Sequence, residues 1–257
     1  MATILVPLPD RDFDVTEVAV PWQLLTEAGH RVVFATEAGA TPACDPRLIT
    51  GVVFGKLGAR PEAIGFYRTM EQDPGFLQPV RWADVDPAAY DALLLAGGHA
   101  PGMKQYLGSA AVQAIALAFT RAHKPVAAIC HGVLVLARTI DPATGRAVIH
   151  GKKLTCLPKY MERAAYLSTF WKLGRYYRTY PAYVEDEVVA AMASRDDFVR
   201  GARTLSARGT REDDGPAMIV EDGDLVTARW PGDAYLFAKS LLARLPAASP
   251  ATTRSLS

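Results

Sequence analysis

The chain has 257 residues, half of them hydrophobic, which is enough for one large α/β domain or two small ones with a sizeable core. Its 28 Lys and Arg against 27 Asp and Glu leave no excess positive charge for a polyanion, so nucleic acid is not an expected partner. No apolar run reaches the roughly 18–20 residues that a bilayer requires, and the start, MATILVPLPDRD, lacks the basic region and cleavage site of an export signal. The expectation is a cytoplasmic protein with no membrane contact. Three cysteines, Cys44, Cys130 and Cys156, are an odd number without CxxC spacing, against both a disulfide framework and a zinc site.

In chain order, Thr3–Pro7 (TILVP) reads as a strand, and Val15–Ala28 as a helix stopped at Gly29. Arg31–Thr36 (RVVFAT) reads as the next strand. The Gly- and Pro-rich stretch 37–90 reads as loops with one amphipathic segment, Pro61–Glu71, over the sheet edge. Asp91–Ala96 (DALLLA) is a strand whose continuous apolar character implies burial on both faces. Ser109 is placed to cap a helix reaching His123, and Val126–Ile129 (VAAI) is a short buried strand running into Cys130-His131-Gly132 and a helical Val133–Thr139. Lys153–Leu157 reads as a further strand. The aromatic stretch Tyr160–Tyr183 reads as a helical cap or lid, Met218–Val220 and Leu225–Thr227 as a hairpin around Asp222-Gly223, and Ala234–Leu245 as the closing helix. The alternation predicts an α/β fold: a doubly wound, mostly parallel, flavodoxin-like sheet flanked by helices. One domain over residues 1–245 is expected, with cap segments at about 55–75 and 160–203. The small, polar tail 246–257 is expected to be disordered.

The most informative segment is KPVAAICHGV. A buried strand ending at Cys130 and passing through His131-Gly132 into a helix puts the thiol at the carboxyl end of a parallel sheet, where α/β proteins keep their ligands. The helix N-terminus offers partial positive charge and free N–H groups, which favour a thiolate, so Cys130 is expected to be abnormally acidic. Gly132 allows close approach. Without this position, a lone cysteine reads as a small buried hydrophobe. No His and acid pair has metal-ligand spacing such as HExxH, so neither metal nor cofactor is expected. His30, His123 and His150 receive no role, Cys44 reads as a loop thiol and Cys156 as a buried one.

At these residues the chain resembles the ThiJ/PfpI superfamily, relatives of the class I glutamine amidotransferases, whose nucleophile elbow has the same AxICHG pattern. Two further stretches extend the resemblance over roughly residues 2–245. DALLLAGGH, ending at Gly97, Gly98 and His99, resembles the family strand whose second glycine amide helps form an oxyanion hole; here that implies Gly98 together with the His131 amide. Glu17, four residues before Pro21 in TEVAVPWQLLTEAG, sits where the family places a buried acid against the nucleophilic sulfur. The cap and the GGH sequence look most like the branch of heat-inducible chaperones and cofactor-independent glyoxalase III enzymes. That branch implies an acid orienting the elbow histidine. Glu162, four residues after Pro158, fits the spacing, giving Cys130, His131 and Glu162 as a triad with Glu185 and Glu187 as rival acids. His99 lines the pocket or is structural.

The resemblance implies a cysteine-dependent lyase or hydrolase acting on a small carbonyl compound such as methylglyoxal, and a homodimer. In such a reaction a thiolate attacks carbon, an imidazole or carboxyl moves protons, and fixed amides hold the oxyanion. The alternative is a holdase chaperone or redox sensor, recognisable by a large exposed apolar surface around the lid. Glutamine amidotransfer is disfavoured because no histidine follows His150.

Overall fold

The computed structural model describes residues 1–178 and 180–247; the expected disordered tail therefore lies, from residue 248 onward, outside the described residues. Seven strands form the main sheet: β1 (Thr3–Pro7), β2 (Arg31–Thr36), β3 (Val80–Arg81), β4 (Ala92–Leu95), β5 (Val126–Ile129), β6 (Ile219–Asp222) and β7 (Leu225–Ala228). Their order across the sheet is β6-β7-β5-β4-β1-β2-β3, all parallel except the β6–β7 hairpin. The fold is the mostly parallel, helix-flanked α/β sheet that the alternation predicts. Residues of β4 and β5 are buried throughout, as central strands covered on both faces must be.

Seven helices matter to the site: α1 (Val15–Glu27), α2 (Pro61–Met70), α3 (Ala110–Arg121), α4 (Val133–Arg138), α5 (Lys159–Leu173), α6 (Val184–Ala191) and α7 (Ala234–Leu242). Helix α1 packs against α2 and α7 through Val20, Leu24, Ala63, Ala234, Tyr235 and Ala238, while α4 packs against α3 and α6. Each large apolar side chain fully buried here contributes about 1.5–3 kcal/mol relative to exposure. The Asp14 carboxylate caps α1, its Oδ1 accepting from the N–H groups of Thr16 and Glu17 at 2.8 and 3.1 Å, and Ser109 caps α3 as expected.

Three expectations need correction. Lys153–Leu157 is not a strand: Leu154 makes a single bridge to Phe198, and the Thr155 N–H turns to the Thr227 hydroxyl at 2.9 Å instead. The stretch 37–90 holds the edge strand β3, a parallel pairing of Arg11–Phe13 with Ala43–Cys44, and short helices at Pro46–Thr50 and Pro74–Leu77. Cys44 is consequently a buried thiol beside Tyr67, not an open loop one.

Candidate active site

Strand β5 delivers Cys130 to the site in a left-handed backbone conformation, φ +58°. Such a conformation is costly for a residue with a Cβ, and it is held here by the tight passage from strand to helix. The turn needs a glycine at 132, because a Cβ there would lie 2.2 Å from the Leu95 carbonyl oxygen. It needs another at 97, where a Cβ would lie 2.7 Å from the His131 nitrogen, 2.8 Å from Glu17 Oε2 and 3.0 Å from the Cys130 Cβ. The end of β4, the first turn of α1 and the Cys130 turn thus converge on one glycine.

Glu17 is fully buried. Its Oε2 accepts the Gly97 N–H at 2.7 Å, and the Gly97 carbonyl accepts the Asp14 N–H at 2.9 Å. Burial and the neighbouring Asp14 charge push the Glu17 carboxyl well above the usual range, favouring its protonated form. Its second oxygen, Oε1, has no hydrogen-bonding partner among the described residues, while Glu17 and Cys130 stand near enough for each to shift the other's ionisation. Asp14 is itself raised to about 6, chiefly by burial.

Cys130 Sγ lies 3.5 Å from His131 Nδ1. The expected acidity of the thiol is reversed: burial first, then the charges of Glu17 and Asp14, push Cys130 well above the free-thiol range, and the His131 amide offsets this only in part. The helix that follows is six residues long, too short for its dipole to outweigh complete desolvation. His131 is held neutral by burial and by His99, Arg138 and Arg178 nearby. The resting pair is therefore a neutral thiol beside a neutral imidazole, with the buried Glu17 carboxyl on the other side.

Of the residues singled out from sequence, the structure brings together Glu17, Gly97, Cys130, His131 and His99, with Gly98 next in the same turn. The His99 ring packs edge-on against His131, centroids 4.7 Å apart, and burial lowers it to about 4. Glu162 is not brought to His131. It is buried in the first turn of α5, where Oε1 takes Arg178 at 2.8 Å and Oε2 takes the Val184 N–H at 2.9 Å. The rival acids are also committed elsewhere, Glu185 to Arg200 and the Lys159 N–H, Glu187 to Nε and Nη2 of Arg138. Of the three, Glu187 ties the cap to the body through Arg138, while Glu162 and Glu185 hold the cap segments to one another.

A cleft of about 380 Å³ opens beside this centre, walled by His99, Asp14 and Tyr177 and by apolar side chains of the 48–59 loop and α5, including Leu48, Val52, Leu157 and Met161. Sequence reasoning misses Asp14, Tyr177, Arg208 and Trp230 on this wall. Only Asp14 leaves a sequence signal, an Asp three residues ahead of Glu17 at a helix start. The potential ligand atoms of His99, Cys130 and His131 lie within 4.8 Å of one another, close enough to hold a soft divalent metal, a convergence that linear spacing does not reveal. Among the described residues no helix is long and apolar enough to cross a membrane.

The profile of the ThiJ/PfpI-like family matches residues 8–201. The chain belongs to the ThiJ/PfpI family. A Schizosaccharomyces pombe protein is 32% identical over 165 residues, a match that spans 62% of this chain and 60% of that relative. Glyoxalase 3 of Candida albicans is 26% identical over 229 residues, 89% of this chain and 87% of the relative. Deglycase PfpI of Pyrococcus furiosus is 30% identical over 235 residues, 91% and 95% of the two chains. The crystal structure of the Candida albicans glyoxalase III superposes with a TM-score of 0.70 at 20% identity, covering 95% of this chain and 98% of that one, a likeness of fold.

Proposed function

We propose that this member of the ThiJ/PfpI family is a cysteine-dependent enzyme that converts a small α-oxoaldehyde to the corresponding hydroxy acid, as a glyoxalase III would. The observation that carries the reading is the packing of Glu17, Cys130 and His131 around Gly97, three groups able to hold, give and accept protons at one sulfur. Relatives named as glyoxalase and deglycase support it. The sulfur has no exposed surface, so attack requires the surrounding rings, His99 among them, to give way.

The neutral His131 accepts the thiol proton as sulfur adds to the aldehyde carbon, then returns it to the new oxyanion to give a hemithioacetal. His131 next removes the hydrogen from that carbon and delivers it to the adjacent one, while the Gly98 and His131 amides and the Glu17 carboxyl donate to the oxygens that gain charge. The product is a hydroxyacyl thioester; water cleaves it, releasing the hydroxy acid and restoring the thiol. A cytoplasmic homodimer goes with this reading, and sedimentation equilibrium tests the dimer.

A holdase role is a second reading, favoured by the exposed apolar side chains Phe54, Leu57, Leu167, Phe170, Trp171 and Leu205 around the cap. Lactate formation from methylglyoxal by wild type and Cys130→Ser separates the two. The enzyme reading requires wild-type turnover that the serine variant loses, whereas suppression of client aggregation without any turnover supports the holdase.

A further inference from the structure

The cleft beside Cys130 is much larger than a three-carbon oxoaldehyde needs. Its volume of about 380 Å³ falls within the range of ~300–1,000 Å³ typical of pockets that enclose larger organic ligands, and most of its wall is apolar. One cation stands in that wall. Arg208 is half-buried, and its guanidinium lies 4.5 Å from the centre of the Trp230 ring, also part of the wall.

No hydrogen bond or ion pair to an acid is made by the Arg208 side chain among the described residues. The acids close enough to influence it are Asp14, which shares the cleft wall and spends one oxygen on the α1 cap, and Asp233, which is committed elsewhere. Asp233 holds the Arg229 guanidinium through both oxygens, at 2.8 and 2.9 Å, and also accepts from the Met218 and Arg229 amides. Arg60 lies near enough to oppose the Arg208 charge, so the region carries two cations with no ion-pair partner of their own. A desolvated arginine presents planar, paired donors suited to a carboxylate, while its stacking on Trp230 fixes the plane of the fork.

We propose that Arg208 is a specificity residue: it binds a carboxylate on a substrate whose apolar body fills the cleft, so the preferred substrate is an α-oxoaldehyde that also carries an apolar body and a carboxylate, with methylglyoxal a poorer one. The carbonyl identity rests on the function proposed above; the recognition of an apolar carboxylate does not.

Inert ligands keep the two apart. Binding of 4-phenylbutyrate and of the uncharged 4-phenylbutanol to the full chain is measured by calorimetry, in wild type, Arg208→Met, Arg208→Lys and Cys130→Ser. The wild type is expected to prefer the acid by about tenfold or more, the scale of a hydrogen bond to a charged group. Arg208→Met, which keeps the apolar stem over Trp230, is expected to abolish that preference while leaving alcohol binding unchanged, and Arg208→Lys to retain part of it. Cys130→Ser is expected to keep it whole. Equal affinity for acid and alcohol, no binding of either, or a preference that survives Arg208→Met overturns the proposal. Loss of turnover in every assay with the binding preference intact overturns only the catalytic reading.

Discussion

Glu17 Oε2 accepts the N–H of Gly97 at 2.7 Å, a bond that fastens the first turn of α1 to the end of β4 beside Cys130. An acid three residues after a helix cap ordinarily turns back to the cap's own N–H. Here the Asp14 N–H goes to the Gly97 carbonyl, so Gly97 replaces both halves of the local exchange and the carboxyl is drawn into the protein instead of lying on the helix surface. Its remaining oxygen has no hydrogen-bonding partner among the described residues.

The Cys130 thiol is expected to titrate above the free-thiol value of about 8.5, because burial and the Glu17 and Asp14 charges all disfavour the thiolate. Iodoacetamide labelling against pH, read peptide by peptide so that Cys44 and Cys156 are followed separately, measures it. A wild-type midpoint below 8 contradicts this electrostatic picture.

Asp14 ionises at about 6 in the folded chain, against 3.8 for an unperturbed carboxyl. A raised acid favours folding below its unfolded value, and that advantage disappears as pH rises through its folded value. Asparagine caps a helix as well as aspartate and does not titrate. The stability of Asp14→Asn relative to wild type is therefore expected to climb between pH 4 and 6, by at most about 3 kcal/mol, and to level off above. Urea midpoints at four pH values test it, and a difference independent of pH removes the shift.

Gly132→Ala drives a Cβ to 2.2 Å from the Leu95 carbonyl oxygen, which is strand backbone and cannot swing aside. The expected cost is about 1–3 kcal/mol or more, read as a lowered Tm together with loss of activity as the turn shifts. Gly145→Ala is a suitable comparison for crowding, since no atom lies within 4 Å of that Cβ position, although its own φ of +68° adds strain. A fully stable Gly132→Ala contradicts the packing described.

Much of this was legible from residue order. Strands β1, β2 and β5 have the bounds that their apolar runs predict, with polar residues confined to the ends of β1 and β2 and none in β5. The strand-to-helix turn at Cys130 follows from a buried apolar run that ends at Cys130-His131-Gly132, whereas Glu17 stands out only through the family resemblance. Illegible were the things decided by distant partners. β3 is two residues long and exists only because β2 pairs with it. Glu162 fits a sequence spacing, yet its oxygens go to Arg178 and Val184, 16 and 22 residues away, across a cap whose path no periodicity records. Arg208 sits in a stretch without regular structure, so nothing local marks it as part of a cleft.

Glu162→Gln tests which role that acid has. It keeps an acceptor for the Val184 N–H but leaves the Arg178 cation, 8% exposed, without its counter-charge. Breaking a buried pair from one side costs about 3–5 kcal/mol. The expected outcome is a lowered Tm with the pH profile of kcat/KM unchanged below the melting range. A displaced profile at unaltered Tm assigns Glu162 to the orientation of His131.

The central claim is that Glu17, Cys130 and His131 form one reacting centre, and Glu17→Gln tests it most directly. Glutamine keeps the shape and the acceptor for the Gly97 N–H but has no carboxyl proton to donate or exchange. The measurement is kcat/KM for hydroxy-acid formation from an α-oxoaldehyde, with Tm recorded on the same samples. A fall of about 10²–10⁴, the usual contribution of a positioned acid or base, at a Tm close to wild type is the predicted result. Undiminished turnover in Glu17→Gln, alongside an inactive Cys130→Ser, contradicts the claim and leaves the nucleophile without Glu17.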